Sequence, residues 1–219
     1  MATDSAVPAD LELVVRIIAE TAVANETYFG DLDSVVGDGD FGYSLARGFE
    51  IVLKDWDTLD RTDGATFLQK VAMIITGRIG GTSGPIWGTA FLRASTTLRK
   101  QEGPGVPVVD MLDAAIAGIK ARGGAELGEK TLLDALAPMR DTIAERLAAG
   151  ATTQEVLDAA AASARSAADA TTALQARRGR ASYTGERSIG SPDAGAVAVA
   201  VMAEQLASRW PERSTAATS

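Results

Sequence analysis

Histidine and cysteine are both absent from the 219-residue chain. Without histidine there is no Ser-His-Asp triad, no imidazole-bound metal and no phosphohistidine on this polypeptide. Without cysteine there is no disulfide framework and no zinc–thiolate site, a composition compatible with a reducing cytoplasm. A metal held here must be held by oxygen, which selects hard ions such as magnesium or calcium. Basic residues are the scarcer charge, 21 against 29 acidic ones for a net −8. That excludes a general nucleic-acid binder, which needs a positive surface. No apolar run approaches the roughly 18 residues of a membrane span. The segment MATDSAVPAD has no basic region followed by an apolar block, so no signal peptide is expected and the expected location is cytoplasmic. Alternating strand patterns are nearly absent; VAVAVM at 197–202 is the one ambiguous run.

What is present is helical. Hydrophobic residues make up 46% and charged residues 23%, ordinary values for a globular protein. The length suits one large domain with a proper core, expected over 1–219 with a frayed tail at about 211–219. Leu11, Val14, Val15 and Ile18 mark a first helix, entered through Pro8 and Asp10 and ending near Phe29-Gly30. Further helices are expected at about 43–56, 63–79, 82–100 and 107–121. A sixth starts near Lys130 and is disturbed at Pro138, which lacks an amide donor. Thr152 with Glu155 reads as a capping box opening a seventh helix to about Leu174. The eighth runs from about Asp193 to Trp210. The expected fold is all-α, an up-down, barrel-like bundle of eight antiparallel helices.

Four loops carry the chemistry. In LDSVVGDGDFG, residues 32–42, three aspartates repel one another unless a cation offsets their charge. Gly37, Gly39 and Gly42 permit the tight turn that would bring Asp33 to face Asp38 and Asp40. Magnesium takes a few carboxylates and fills its other positions with water or phosphate oxygens. A solvated Asp/Gly turn is the competing reading of this motif taken alone. In GRIGGTSGPIWGTAF, residues 77–91, glycines around Thr82 and Ser83 lead into a helix whose free amides and dipole favour phosphate. No Gly-Lys-Ser/Thr follows, so it is not a Walker A loop. In RGGAELGEKTLLDAL, residues 122–136, Lys130 and Thr131 stand at a helix start, either to serve a phosphate or to cap the helix. ARRGRASYTGERSIGSPDAGA, residues 176–196, gathers Arg177, Arg178, Arg180 and Arg187, whose forks suit phosphate oxygens or surface acids. With helices running up and down, the loops after helices one, three, five and seven share one end. These four loops are those loops, and together they hold the parts of a metal–nucleotide phosphate site.

GDGDFG, GGTSGPIWGTAF, LGEKTLLDALAP and ARRGRASYTGERSIGSPDAGA, in this order and spacing, resemble the nucleotide-binding L subunit of bacterial dihydroxyacetone kinase. The same domain forms the C-terminal half of single-chain ATP-dependent dihydroxyacetone kinases. The resemblance covers nearly the whole chain and implies a barrel of eight antiparallel helices with ADP or ATP across one end. It implies that Asp33, Asp38 and Asp40 hold two magnesium ions bridging the phosphates, and that these three with Arg180 are the catalytic residues. Phe41, Gly42, Tyr43 and Ser44, with Thr82 and Ser83, would line the phosphates. Gly123, Leu132, Arg180, Asp193, Ala194 and Gly195 would surround the rest of the nucleotide. The ketose would sit on a separate K-type subunit, bound covalently through a histidine there. Two sources of phosphate are open: free ATP, or bound ADP recharged by a phosphotransferase-system protein. A homodimer is likewise open.

The chain departs from that pattern at two places. Phe41 stands where the family has the histidine of GDGDHG. Ser191 and Ala194 stand where it has the histidine and proline of GHQDPGA. A phenylalanine ring donates no hydrogen bond to phosphate, so a nucleotide-sensing module with weakened turnover is the alternative function.

Overall fold

The computed structural model describes residues 7–103 and 105–210; the tail at 211–219 lies outside them. Apolar residues at helical spacing give nine α-helices among the described residues. They are α1 (Ala9–Ala24), α2 (Glu26–Ser34), α3 (Phe41–Lys54), α4 (Gly64–Arg78), α5 (Ser83–Arg99), α6 (Val108–Gly123), α7 (Leu133–Ala148), α8 (Thr153–Ala170) and α9 (Ala194–Arg209). Short 3₁₀ segments occupy Trp56–Thr58, Thr171–Ala173 and Arg180–Ser188. No strand occurs among the described residues, and VAVAVM lies inside α9.

The expected first helix is two helices, and their cause is Asn25. Its Nδ2 donates to the Thr21 carbonyl at 2.8 Å, and its backbone N–H takes the same oxygen. A side-chain amide competing for a helix carbonyl breaks the ladder at that point. The chain re-enters a helix at once because Phe29 in α2 is fully buried. Consequently Asp33 belongs to the last turn of α2 rather than to a loop. Since both α1 and α2 pack on α3, the two act as one bent rod, and eight antiparallel rods remain.

Neighbours in sequence are neighbours in space around the whole bundle: α3 meets α4, α4 meets α5, and so on to α8 with α9. The ring closes where α9 packs on α1 and α2. Phe29, Phe49, Phe67, Ile17, Leu45 and Ile75 fill the interior. The α8–α9 seam is alanine on alanine, with Ala160, Ala161, Ala164 and Ala168 of α8 buried and Ala196, Ala200, Ala203 and Ala207 of α9 likewise. Small side chains let these backbones approach closely. Arg165 braces the seam by donating to both carboxylate oxygens of Glu204, at 2.7 and 2.9 Å.

Helix ends follow local chemistry. Thr152 and Glu155 form the capping box of α8, Asp63 caps α4 through Thr66 N–H, and Asp193 caps α9 through Ala196 N–H. Pro138 lies inside α7 without ending it, and α7 starts at Leu133 rather than at Lys130. No helix among the described residues is long and apolar enough to cross a membrane.

Candidate functional site

The aspartates converge. Asp33 from the end of α2, and Asp38 and Asp40 from the turn into α3, each offer a carboxylate oxygen within 4.8 Å of the other two. Three negative charges at such range repel by roughly 1 kcal/mol per pair in water and about 4 kcal/mol at an effective dielectric constant near 20. Asp33 also sits at the negative end of a helix dipole, the unfavourable end for a carboxylate. Local structure holds it there nonetheless. The Phe41 backbone N–H donates to Asp33 Oδ2 at 3.4 Å, and a Cβ on Gly37 would lie 2.3 Å from Asp33 Oδ1, so only glycine leaves room for that carboxylate.

A cation already faces this group. Arg180, from the loop between α8 and α9, pairs through one guanidinium nitrogen with Asp38 and places the other 3.7 Å from Asp40 Oδ2. The four arginines of that loop therefore divide. Arg178 donates in a fork to both Glu129 oxygens, at 2.6 and 3.1 Å, and this holds the Glu129 carboxyl below its usual range. Arg187 donates to the Thr184 carbonyl at 3.5 Å.

The other candidate residues stand around the same end of the barrel. A Cβ built on Gly80 would lie 3.3 Å from Ser44 Oγ, so the Thr82-Ser83 turn adjoins the first turn of α3. The N-cap residues Asp40 and Thr82 make no side-chain bond to their helices, and beyond the Phe41 N–H held by Asp33 this leaves first-turn amides of α3 and α5 open. Tyr43 is exposed, with Arg47 stacked 5.0 Å from its ring centre. Gly123 lies against Ile86 of α5, and Leu132 against Gly195 of α9. Leu132 and the Asp193-Ala194-Gly195 turn make a second group, joined to the aspartates through the arginine loop.

Two side chains behave otherwise than their residue types imply. The Phe41 ring turns inward onto Phe29, with centroids 6.2 Å apart, so only its backbone faces the carboxylates. Lys130 does not cap α7; its side chain turns into the protein. It is 2% exposed, and its Nζ donates to the carbonyls of Leu174, Ser188 and Ser191 at 3.0, 2.5 and 2.6 Å. Asp134 does the work at the start of α7, accepting from Thr131 N–H at 2.8 Å. Sequence reasoning passed over Glu129, Thr171 and Ser188, which tie the arginine loop down. Their only signal was polarity beside a Gly-rich segment.

Burial pushes the Asp193 carboxyl up to about 7, although the Ala196 N–H and the nearby Lys130 charge pull the other way. Its folded value thus exceeds the unfolded value of about 3.9. Between about pH 4 and about pH 7 the folded state binds a proton that the unfolded chain has lost, so stability falls as pH rises through this window. Asp193→Asn, an equally good cap, is expected to flatten that fall. Urea midpoints at about pH 5 and about pH 7.5 measure it; an unchanged slope would assign the pH dependence elsewhere.

A profile of the DAK2 domain matches residues 35–208. The chain is 36% identical over 181 residues to the ADP-binding subunit DhaL of the PEP-dependent dihydroxyacetone kinase of Escherichia coli K12, covering 82% of this chain and 86% of that subunit. It is 35% identical to the L-erythrulose 1-kinase of Mycolicibacterium smegmatis, of which it spans 34%. The crystal structure of the dihydroxyacetone kinase of C. freundii in complex with AMP-PNP and Mg2+ superposes with a TM-score of 0.76 at 26% identity, over 92% of this chain and 34% of that one. With most of its length matched to the profile, and to nearly all of the E. coli subunit, the chain belongs to the DAK2-domain family, that of the ADP-binding L subunits of dihydroxyacetone kinases.

Proposed function

We propose that this chain is the nucleotide-binding, phosphoryl-donating subunit of a dihydroxyacetone-type kinase. The observation that carries the reading is the meeting of Asp33, Asp38 and Asp40 within 4.8 Å, with Arg180 on the last two. Relatives named as ADP-binding kinase subunits, and a similar structure holding AMP-PNP and Mg2+, support it.

The donor set suits magnesium: oxygen only, three carboxylates, and open room for phosphate oxygens. Asp33, Asp38 and Asp40 would hold the metal, two ions by the family pattern. Magnesium, when bound, neutralises charge on the phosphates and fixes their orientation. The protein's own groups do the rest. Uncapped amides of α3 and α5 receive phosphate oxygens at the positive ends of two helix dipoles. Arg180, whose guanidinium spans Asp38 and Asp40, would meet the charge that develops as the phosphoryl group leaves. Leu132 and Gly195 offer an apolar wall for the nucleoside. The acceptor, a short ketose, would be presented by a separate K-type subunit in the cytoplasm, and the donor would be ATP or recharged ADP.

Calorimetry with ADP tests the reading. Saturable binding is expected with magnesium present and none after chelation; no binding in either case would defeat it. The inward Phe41 ring favours a second reading, a nucleotide sensor with weakened turnover. Mixing with a K-type subunit, magnesium, dihydroxyacetone and either ATP or a phosphotransferase-system phosphoryl donor separates the two, since a sensor binds ADP and yields no phosphorylated product from either.

A further inference from the structure

Lys130 is the only described residue other than glycine with a positive φ, 63°. That conformation costs roughly 1–2 kcal/mol for a residue with a Cβ, and burying an ammonium costs more. The structure sustains both where they serve a single end. The three Nζ protons are all used, each on a carbonyl of the segment that carries Arg180. Leu174 lies just before the arginine stretch, Ser188 at its close, and Ser191 two residues before the cap of α9. One side chain thus draws together both ends of a loop. Its neighbour Glu129 grips the outside of the same loop. The Glu129 carbonyl accepts from Arg177 N–H at 3.1 Å, and its carboxylate takes the Arg178 fork while also accepting from Glu126 N–H at 2.8 Å. The left-handed turn at Lys130 is what lets adjacent residues of opposite charge act on opposite sides.

We infer that Lys130, assisted by Glu129, is a positioning residue that seats the arginine-bearing loop so that Arg180 meets Asp38 and Asp40. Its effect on nucleotide rests on the function proposed above; the clamp itself does not. Burial lowers the Lys130 pKa, in keeping with a group enclosed by protein. Beside it the Ser191 hydroxyl is buried with no partner among the described residues, so the Ser191 carbonyl is the group that holds this turn.

Trypsin reads the clamp directly, because the loop contains Arg177, Arg178, Arg180 and Arg187. In the full chain, Lys130→Met keeps the aliphatic stem and removes the ammonium. Cleavage within 177–187 is expected to rise about tenfold or more, with cleavage at Lys54 and Lys100 unchanged. Affinity for ADP in saturating magnesium is expected to fall about 10–100-fold. A uniform rise at all sites, or no rise in the loop, would overturn the clamp. A selective rise with unaltered ADP affinity would overturn the positioning role. Should the unsubstituted chain not bind ADP, the kinase reading fails by itself while the cleavage pattern still decides the clamp. If Lys130→Met does not fold, Glu129→Gln is the measurable variant. It is expected to speed loop cleavage about two- to fivefold, and no change there would count against the clamp.

Discussion

Asp38→Asn is expected to abolish magnesium-dependent ADP binding, by about a hundredfold or more in affinity, which corresponds to about 2.7 kcal/mol. A carboxamide keeps the shape but removes the charge that a hard cation needs. Asp38 is the informative member of the trio because its turn lies outside both flanking helices. Asp33, by contrast, accepts from Phe41 N–H and sits against Gly37, so changing it disturbs the fold as well as the site. Without magnesium, the Asp38→Asn protein should melt within about 2 °C of the parent. Relief of carboxylate repulsion offsets the loss of an exposed ion pair to Arg180, itself worth about 0–1 kcal/mol. With magnesium and ADP at about 100 times the dissociation constant, the parent should gain about 2.7 kcal/mol, or roughly 5–11 °C, and the variant nothing. Unchanged affinity with an intact helical circular-dichroism spectrum would remove the metal role from this loop.

Gly42→Ala is expected to be the most damaging small substitution in the barrel. A Cβ there would lie 2.0 Å from the Glu26 carbonyl oxygen and 2.5 Å from the Gly30 nitrogen. Both obstacles are backbone, so no side chain can swing away, and α3 must move off α2. Forcing a methyl into such a crossing costs about 3 kcal/mol, or roughly 6–12 °C in melting temperature. The same shift carries Asp40 away from Asp33, so metal-dependent binding should weaken together with stability. Gly77→Ala is the control. Nothing lies within 4 Å of a Cβ at that helical position, so the same change should stabilise by about 0.5–1 kcal/mol. Two glycine-to-alanine changes of opposite sign, read by thermal melts, separate close packing from helix propensity. Equal effects would mean that the α2–α3 crossing is looser than described.

Much of this was legible in order and spacing. The apolar rhythm located eight rods within a few residues, and the capping box at Thr152 and the helix start at Asp193 were readable because their chemistry is local. Up-and-down counting placed four loops at one end, since antiparallel rods with short connections leave little choice. Asn25 was not legible, because whether an asparagine bonds a carbonyl four residues back depends on packing around it. Lys130 was read by its residue type, as a phosphate ligand or a cap. Its inward turn depends on carbonyls 44 to 61 residues further along the chain, which no local pattern announces. Phe41 showed the opposite case: the substitution was visible, but its destination on Phe29 required the α2–α3 crossing. The four arginines looked alike in sequence, and only the fold assigned Arg178 to Glu129 and Arg180 to the aspartates.

The closing seam between α1 and α9 has a consequence for how such a protein is attached to others. The α1–α2 rod finishes at the aspartates and α9 packs antiparallel along it, so α1 begins and α9 finishes away from the carboxylates. Arg209, at the last turn of α9, fastens to Glu20 of α1 at 2.7 Å. Both described ends, at residues 7 and 210, lie away from the carboxylates and leave their approach clear. That placement suits both a chain matched over most of its length, like the E. coli subunit, and a longer chain of which this one spans 34%, like that of C. freundii, with no change at the carboxylates.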